Sequence, residues 1–393
     1  MQIFKDKHIE LLQNLIRCRS ITPTDDGALE LLRDYLQHLG FESKMKSFGT
    51  GTEEVLNLYS CKQGNKNGKN LCFAGHTDVV PPGELDKWAF DPFAAVIQEG
   101  ILYGRGAVDM KSAIIAFIAA TEEFISLRKD FGTISFLLTA DEEGVAKFGI
   151  DPMIRWLYDN EIKIDQCVVG EPVSKEELGD NIKIGARGSA NFFLKIYGVQ
   201  GHVAYTHLTD NPVKKANKII SELLEYNFSH ENLIFDKTNI EITKIDCDSG
   251  AENIVPNSIA IRFNFRYGDD YNHDVLKKIV EEIVRKHVPN TDDYELESRT
   301  SGDAALWVRD VNGSSLINIA KDSIEKVTGT TPEVSTYGGT SDARFIRKYC
   351  EAIEVGLLGT TAHHIDENAS LKDLENLAKI YFEMISSYFN LVL

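Results

Sequence analysis

The sequence predicts an α/β protein interrupted by an α+β insert, and three observations carry that prediction. Apolar strand-like runs alternate with helically spaced segments from residue 55 to residue 169, the texture of a largely parallel sheet with crossover helices. From Ile182 the pattern changes to longer strands flanking two helices. Near Ser301 the first texture returns, so the first domain is expected to be discontinuous. A chain of 393 residues accommodates two domains. The expected boundaries are 1–181 and 299–393 for the α/β domain and 182–298 for the insert.

Each element has a local reason. Residues 8–17 and 27–39 show helical apolar spacing, the second ending at Gly40, a natural helix stop. Residues 55–60 and 71–74 are short apolar strands separated by the turn-rich stretch 63–70. Residues 111–127 and 151–158 read as helices, and 133–139 and 166–169 as strands. In the insert, 182–186, 190–199, 238–245 and 258–266 read as strands, with helices at 212–225 and 274–286. The chain closes with a helix at 314–328, a strand at 354–357 and a helix at 371–388. No internal repeat or low-complexity segment interrupts this order.

Composition excludes several function classes. The net charge of −18 repels phosphate backbones and anionic lipid surfaces, which disfavours nucleic-acid and membrane partners and leaves a small-molecule substrate. No apolar run approaches the roughly 18 residues that span a bilayer, and the first residues lack a signal-peptide pattern, so a cytoplasmic location is expected. The six cysteines are scattered without Cys-x-x-Cys spacing and read as free thiols.

Chemistry concentrates after strand-like runs, where open α/β sheets gather ligands. Gly104-Arg-Gly-Ala-Val-Asp109-Met-Lys111 puts Asp109 where a helix N-cap would sit, and such a residue is ordinarily just a cap. Four further clusters argue otherwise. Gly75-His76-Thr77-Asp78 places a carboxylate two residues from an imidazole, on the same side of extended backbone, where it could orient a metal-binding ring. Asp141-Glu142-Glu143-Gly144 offers adjacent glutamates pointing in different directions, so one could bind metal while the other acts as general base. Gly170-Glu171-Pro172 and His363-His364-Ile365-Asp366-Glu367 complete the set. His76, Asp109, Glu143, Glu171 and His363 supply nitrogen and oxygen without cysteine, a donor set suited to two zinc ions sharing a carboxylate.

These motifs, in the order Gly-His-Thr-Asp-Val-Val-Pro-Pro-Gly, Gly-Arg-Gly-Ala-Val-Asp-Met-Lys, Asp-Glu-Glu-Gly, Gly-Glu-Pro and His-His-Ile-Asp-Glu, resemble those of the dizinc aminoacylase and carboxypeptidase superfamily. Further stretches narrow the resemblance to the branch that removes succinate from N-succinyl-L,L-diaminopimelate. These are Arg187-Gly-Ser189, Gly-His202-Val-Ala-Tyr205, Asn253-Ile-Val-Pro256, Asn264-Phe-Arg266-Tyr267 and Gly338-Gly-Thr-Ser-Asp-Ala-Arg344. The resemblance spans essentially the whole chain. It implies a zinc-peptidase-like catalytic domain with a mixed, largely parallel sheet and an inserted ferredoxin-like dimerisation domain.

It also implies a site. One zinc would sit on His76, Asp109 and Glu171 and the other on Asp109, Glu143 and His363, with cobalt able to substitute. Glu142 would be the acid/base and Asp78 the group that orients His76, while His202 would reach the partner subunit's site in a homodimer as an oxyanion donor. Arg187, Ser189, Tyr205, Asn253, Arg266, Gly339, Thr340 and Arg344 would contact substrate. Of the adjacent histidines, the family's spacing to Asp366 and Glu367 selects His363 over His364. Two departures stand out: Gly359 occupies the place of a family asparagine that contacts substrate, and Thr206 that of a proline. The expected activity is hydrolysis of that succinyl amide. Rival readings are an acetylornithine deacetylase or dipeptidase of the same superfamily and, more remotely, a metal-free binding protein of the same fold.

Overall fold

The computed structural model describes residues 2–64, 68–232, 234–247 and 249–390. The chain forms two compact units, residues 1–185 with 306–393, and residues 186–305. The middle of the turn-rich stretch at 63–70 lies outside the described residues.

The first unit is built on an eight-stranded sheet. Its spatial order is Glu42–Phe48, Val55–Gln63, Thr133–Thr139, Asn70–His76, Gln166–Val169, Glu351–Glu354, Asn181–Lys183 and Glu333–Ser335. Asn70–His76 lies parallel to both Thr133–Thr139 and Gln166–Val169, and Gln166–Val169 lies parallel to Glu351–Glu354. Antiparallel pairing is found at Glu42–Phe48 with Val55–Gln63, and at Val55–Gln63 with Thr133–Thr139. Strands sandwiched between helices are buried on both faces and therefore read as continuous apolar runs. Asn70–His76 is buried at every position.

Helix Lys111–Leu127 is hydrophobic around most of its circumference because it runs through the core. Phe117 stacks on Phe73 with ring centroids 4.6 Å apart, and Tyr381 of the closing helix Leu371–Tyr388 meets both rings edge-on. This aromatic cluster anchors the helix that begins two residues after Asp109. Among the described residues, no helix is long and apolar enough to cross a membrane.

The second unit runs strand, helix, strand, strand, helix, strand around a four-stranded antiparallel sheet. Its spatial order is Asn239–Asp246, Ser258–Tyr267, Gly188–Tyr197 and Tyr294–Gly302. Helices Pro212–Glu225 and His273–His287 cover the face presenting Phe192, Leu194, Ile261, Phe263 and Phe265. Strand Tyr294–Gly302 is absent from the sequence reading because its charged, largely exposed residues hide the alternation. The strand anticipated at 354–357 instead occupies Glu351–Glu354, since the half-buried Glu351 and the buried Glu354 set their carboxylates against polar partners and mask the run.

Candidate metal centre

Asp109 joins two histidines from distant segments. His76, the last residue of its strand, brings Nε2 to 3.1 Å from Asp109 Oδ1, and His363 brings Nε2 to 3.3 Å from Asp109 Oδ2. The two oxygens of one carboxylate therefore address different imidazoles. Glu143 Oε1 lies 2.8 Å from His363 Nε2, and Glu171 Oε1 lies 3.8 Å from His76 Nε2. Two ligands about 2.1 Å from one tetrahedral ion stand roughly 3.4 Å apart, so these separations fit donors sharing a cation on each side of Asp109.

The local backbone explains the convergence. Asp109 does not cap helix Lys111–Leu127, as its sequence position suggested; the cap residue is Met110, without a side-chain cap bond, and the Asp109 carboxylate turns to the histidines. The Asp109–Met110 peptide is cis. His363 has φ +63°, a left-handed conformation costly for a residue with a side chain and concentrated at functional sites. Its neighbour His364 is exposed, and its backbone carbonyl accepts from Arg105 Nη1 at 3.1 Å.

Asp78 meets the His76 ring chiefly through its main chain. His76 Nδ1 donates to the main-chain oxygen of Asp78 at 2.8 Å, whereas the Asp78 carboxylate lies 3.7 Å away. That carboxylate accepts instead from the backbone N–H groups of Glu142 at 3.2 Å and Glu143 at 3.1 Å. Asp78 thus holds the ring through its backbone and the glutamate pair through its side chain. Asp141 secures the other flank, accepting from the N–H groups of Ala146, Lys147 and Phe148.

Glu142 lies close to His76 and Glu171, with one donor atom from each of the three within 4.8 Å of the others. His76, Asp109 and Glu143 form a second such group. Distance therefore does not separate the two glutamates, but bonding does. Glu143 is engaged with His363, while the Glu142 carboxylate has no hydrogen-bond partner among the described residues.

Electrostatics follow from crowding buried carboxylates around two imidazoles. Burial would push the Asp109 carboxyl up, but hydrogen bonds from His363 and His76 outweigh it and hold it well below the carboxylate range. Its hydrogen bonds with Asp109 and Glu143 raise His363 to about 10. His76 is raised despite burial, first by its bond to Asp109. Burial pushes up Glu171, helped by Asp109 and Glu142, and also Glu142, helped by Asp342 and Glu143. Divalent cations would relieve this excess of negative charge, and the nitrogen and oxygen donors suit zinc.

Several supporting residues escaped the sequence reading. The buried Glu367 carboxylate accepts from the backbone N–H groups of Gly106, Val108 and Asp109 and pairs with the Arg105 guanidinium at 2.8 Å. Its place in the His363-to-Glu367 motif was the available signal. Asp342 is 2% exposed, neither oxygen has a hydrogen-bond partner among the described residues, and burial raises its carboxyl to about 7.

The expected substrate contacts divide between the units. Gly339, Thr340 and Arg344 belong to the first, with Arg344 lying over the Phe345 ring at 4.5 Å. Arg187, Ser189, His202, Tyr205, Asn253 and Arg266 belong to the second. There Arg187 Nη1 donates to Asn239 Oδ1 at 2.9 Å, and Arg266 lies opposite Ser189 in the sheet. Among the described residues, none of the three arginines has a carboxylate within 4.0 Å. Arg266 is lowered by burial and then by Arg187. His202 is exposed, its Nδ1 accepting from Ala204 N at 3.1 Å, and its ring lies 5.5 Å from that of Tyr205. At position 359, a Cβ would fall 2.6 Å from the Pro172 carbonyl, so the backbone here excludes the family's asparagine unless it shifts.

The fold and this cluster define a metallopeptidase-type hydrolase, and the chain belongs to peptidase family M20/M25/M40, whose model matches residues 72–387. Among its relatives is the succinyl-diaminopimelate desuccinylase of Ehrlichia chaffeensis, 45% identical over 382 residues, covering 97% of this chain and 98% of that protein. The protein of the same name from Gluconobacter oxydans is 43% identical, covering 98% of each chain. Solved structures share the fold at lower identity. An M20 family metallo-carboxypeptidase from Sulfolobus solfataricus superposes with a TM-score of 0.74 at 20% identity, covering 98% of this chain and 100% of that one. A dinuclear metal-binding M20 peptidase from Bacillus subtilis superposes at 0.66 with 13% identity, covering 98% of each.

Proposed function

We propose that this chain hydrolyses the amide of N-succinyl-L,L-diaminopimelate to succinate and L,L-diaminopimelate, a step of diaminopimelate and lysine biosynthesis, as a cytoplasmic homodimer with two zinc ions per subunit. Cobalt is the expected substitute. The observation that carries the chemistry is Asp109, whose two oxygens face different histidines. The substrate assignment draws on the full-length similarity to proteins named for that activity.

His76, Asp109 and Glu171 would hold one ion, and Asp109, Glu143 and His363 the other. When bound, the ions polarise an amide carbonyl and acidify water near neutral pH. Glu142 receives the proton from the attacking water and delivers it to the leaving nitrogen. Its unengaged, half-buried carboxylate has a raised proton affinity, which suits it to take up the proton and hold it until the leaving nitrogen accepts it. Asp78 keeps Glu142 and Glu143 in register through their backbone N–H groups. His202 is assigned to the oxyanion, acting from the partner subunit, with the insert as the dimerisation domain.

Arg187, Arg266 and Arg344 are assigned to the substrate's carboxylates, since guanidinium forms matched pairs with them. Ser189, Tyr205, Asn253, Gly339 and Thr340 supply neutral polar contacts. A panel of N-acyl amino acids assayed for release of free amine tests the reading. Strong preference for N-succinyl-diaminopimelate is the expected result, because an acetyl group leaves an acyl-side cation unpaired. Comparable kcat/KM for N-acetylornithine would move the assignment to a deacetylase.

A further inference from the structure

Beside the strand that leads to Glu171, the first unit buries an ion pair with no role in the chemistry above. Lys183 Nζ lies 2.9 Å from Glu354 Oε2, the two side chains being 4% and 0% exposed. The residues face each other across adjacent antiparallel strands. Lys183 also donates to the Gly339 carbonyl at 2.6 Å and lies over the Trp307 ring at 5.1 Å. Glu354 accepts from Ser341 Oγ, whose oxygen in turn accepts from Ala343 N at 3.2 Å.

These bonds single out one loop and grip it on both sides of Thr340. Without them its entry is loose: Gly338 has φ +94°, and nothing lies within 4 Å of a Cβ placed at 338 or 339. Stability alone does not account for such a pair, because apolar residues of similar volume in its place are often neutral or better. Glu354 Oε2 meets Lys183 as an ion pair and accepts no hydrogen bond among the described residues, so the grip on the loop comes from the Lys183–Gly339 and Ser341–Glu354 hydrogen bonds together with the attraction of the two opposite charges, and buried polar contacts of this kind enforce one geometry. Glu354 stands beside Val169 in the parallel pairing, two residues before Glu171, so the clamp ties the loop to the strand that leads to a candidate ligand.

We infer that the Lys183–Glu354 ion pair is a positioning device for substrate recognition, clamping Gly339 and Ser341 so that Thr340 between them is held in the geometry that meets the substrate. This rests on the proposed assignment of Thr340 to substrate. Neither Lys183 nor Glu354 touches the reacting atoms.

The test removes both charges together in the metal-loaded enzyme, as Lys183→Met with Glu354→Gln, to avoid stranding a single buried charge. Hydrogen exchange of the 339–343 amides should accelerate at least about tenfold, the outcome of losing a local constraint. KM for N-succinyl-diaminopimelate should rise about tenfold or more while kcat changes by less than about threefold, the split expected when binding rather than transition-state chemistry is lost. Metal content should not change. Lys183→Arg, which keeps the charge, should restore both readouts most of the way. If the double variant fails to fold, Ser341→Ala leaves the pair intact, removes one grip, and should loosen the same amides in smaller measure.

Unchanged exchange at 339–343, or a fall in Tm with KM unaltered, would overturn the inference and leave the pair a core element only. The exchange measurement needs no substrate. Failure of the wild-type enzyme to cleave any N-succinyl amino acid would therefore overturn the proposed function while exchange still decided the clamp.

Discussion

Replacing Glu367 with alanine tests whether the centre is held from behind, by a residue that contacts neither imidazole. Its carboxylate bonds three backbone N–H groups, at Gly106, Val108 and Asp109, and the 2%-exposed Arg105 guanidinium. Breaking a buried pair by removing one partner costs about 3–5 kcal/mol because the remaining charge is left uncompensated. The freed N–H groups add to that only as far as the loop cannot relax, so about 4 kcal/mol is a reasonable total. For a chain of 393 residues and an unfolding entropy of about 2.1 cal/mol/K per residue, this corresponds to a fall of about 5 °C in Tm.

The functional consequence should exceed that shift. Losing the bond to Asp109 N frees the backbone of the carboxylate proposed to be shared by the two ions, and a displacement near 1 Å lowers turnover by about 10²-fold. Metal analysis after dialysis, alongside Tm with and without added zinc, separates the two effects. Metal should fall below the wild-type stoichiometry and excess zinc should recover part of the activity. A variant with lowered Tm but full metal content and wild-type kinetics would refute the claim that Glu367 positions Asp109.

Three further outcomes follow from the site. Purified protein should carry close to two divalent metals per subunit at saturation and lose activity on chelation; activity indifferent to thorough metal removal would dispose of the dinuclear assignment. Glu142→Gln should lower kcat by about 10²- to 10⁴-fold with metal content near normal, whereas Glu143→Gln, which disturbs the contact to His363, should weaken metal binding. Equal loss of metal from both variants would contradict their division of labour. His202→Ala should reduce kcat by about 10²- to 10³-fold with little change in KM. A mixed dimer pairing a Glu142-deficient subunit with a His202-deficient one should retain one competent site if the histidine acts across subunits, and an inactive mixed dimer would place its action within one chain.

The elements that periodicity alone determines are those whose burial is uniform. Lys111–Leu127, Thr133–Thr139 and Gln166–Val169 form over the residues their apolar runs indicate, because the sheet core buries both strands and the helix. Tyr294–Gly302 eluded that reading because only Tyr294 and Leu296 of this edge strand pack against the core, too short an apolar face to stand out among charged residues, and Glu351–Glu354 was displaced because carboxylates set among polar partners look like surface in a sequence. The residue types of the site were likewise legible: carboxylates and imidazoles after buried strands are costly unless something uses them. Tertiary structure alone decided which atoms meet. Only the fold brings His76 and His363 to opposite oxygens of Asp109, gives the ring of His76 to the backbone of Asp78 while the Asp78 carboxylate takes the glutamate amides, and sets Glu367 behind the loop that carries Asp109. A sequence specifies the donors and acceptors a chain carries. Their pairing depends on distances between segments nearly three hundred residues apart, as for His76 and His363, and those distances exist only once the sheet has formed.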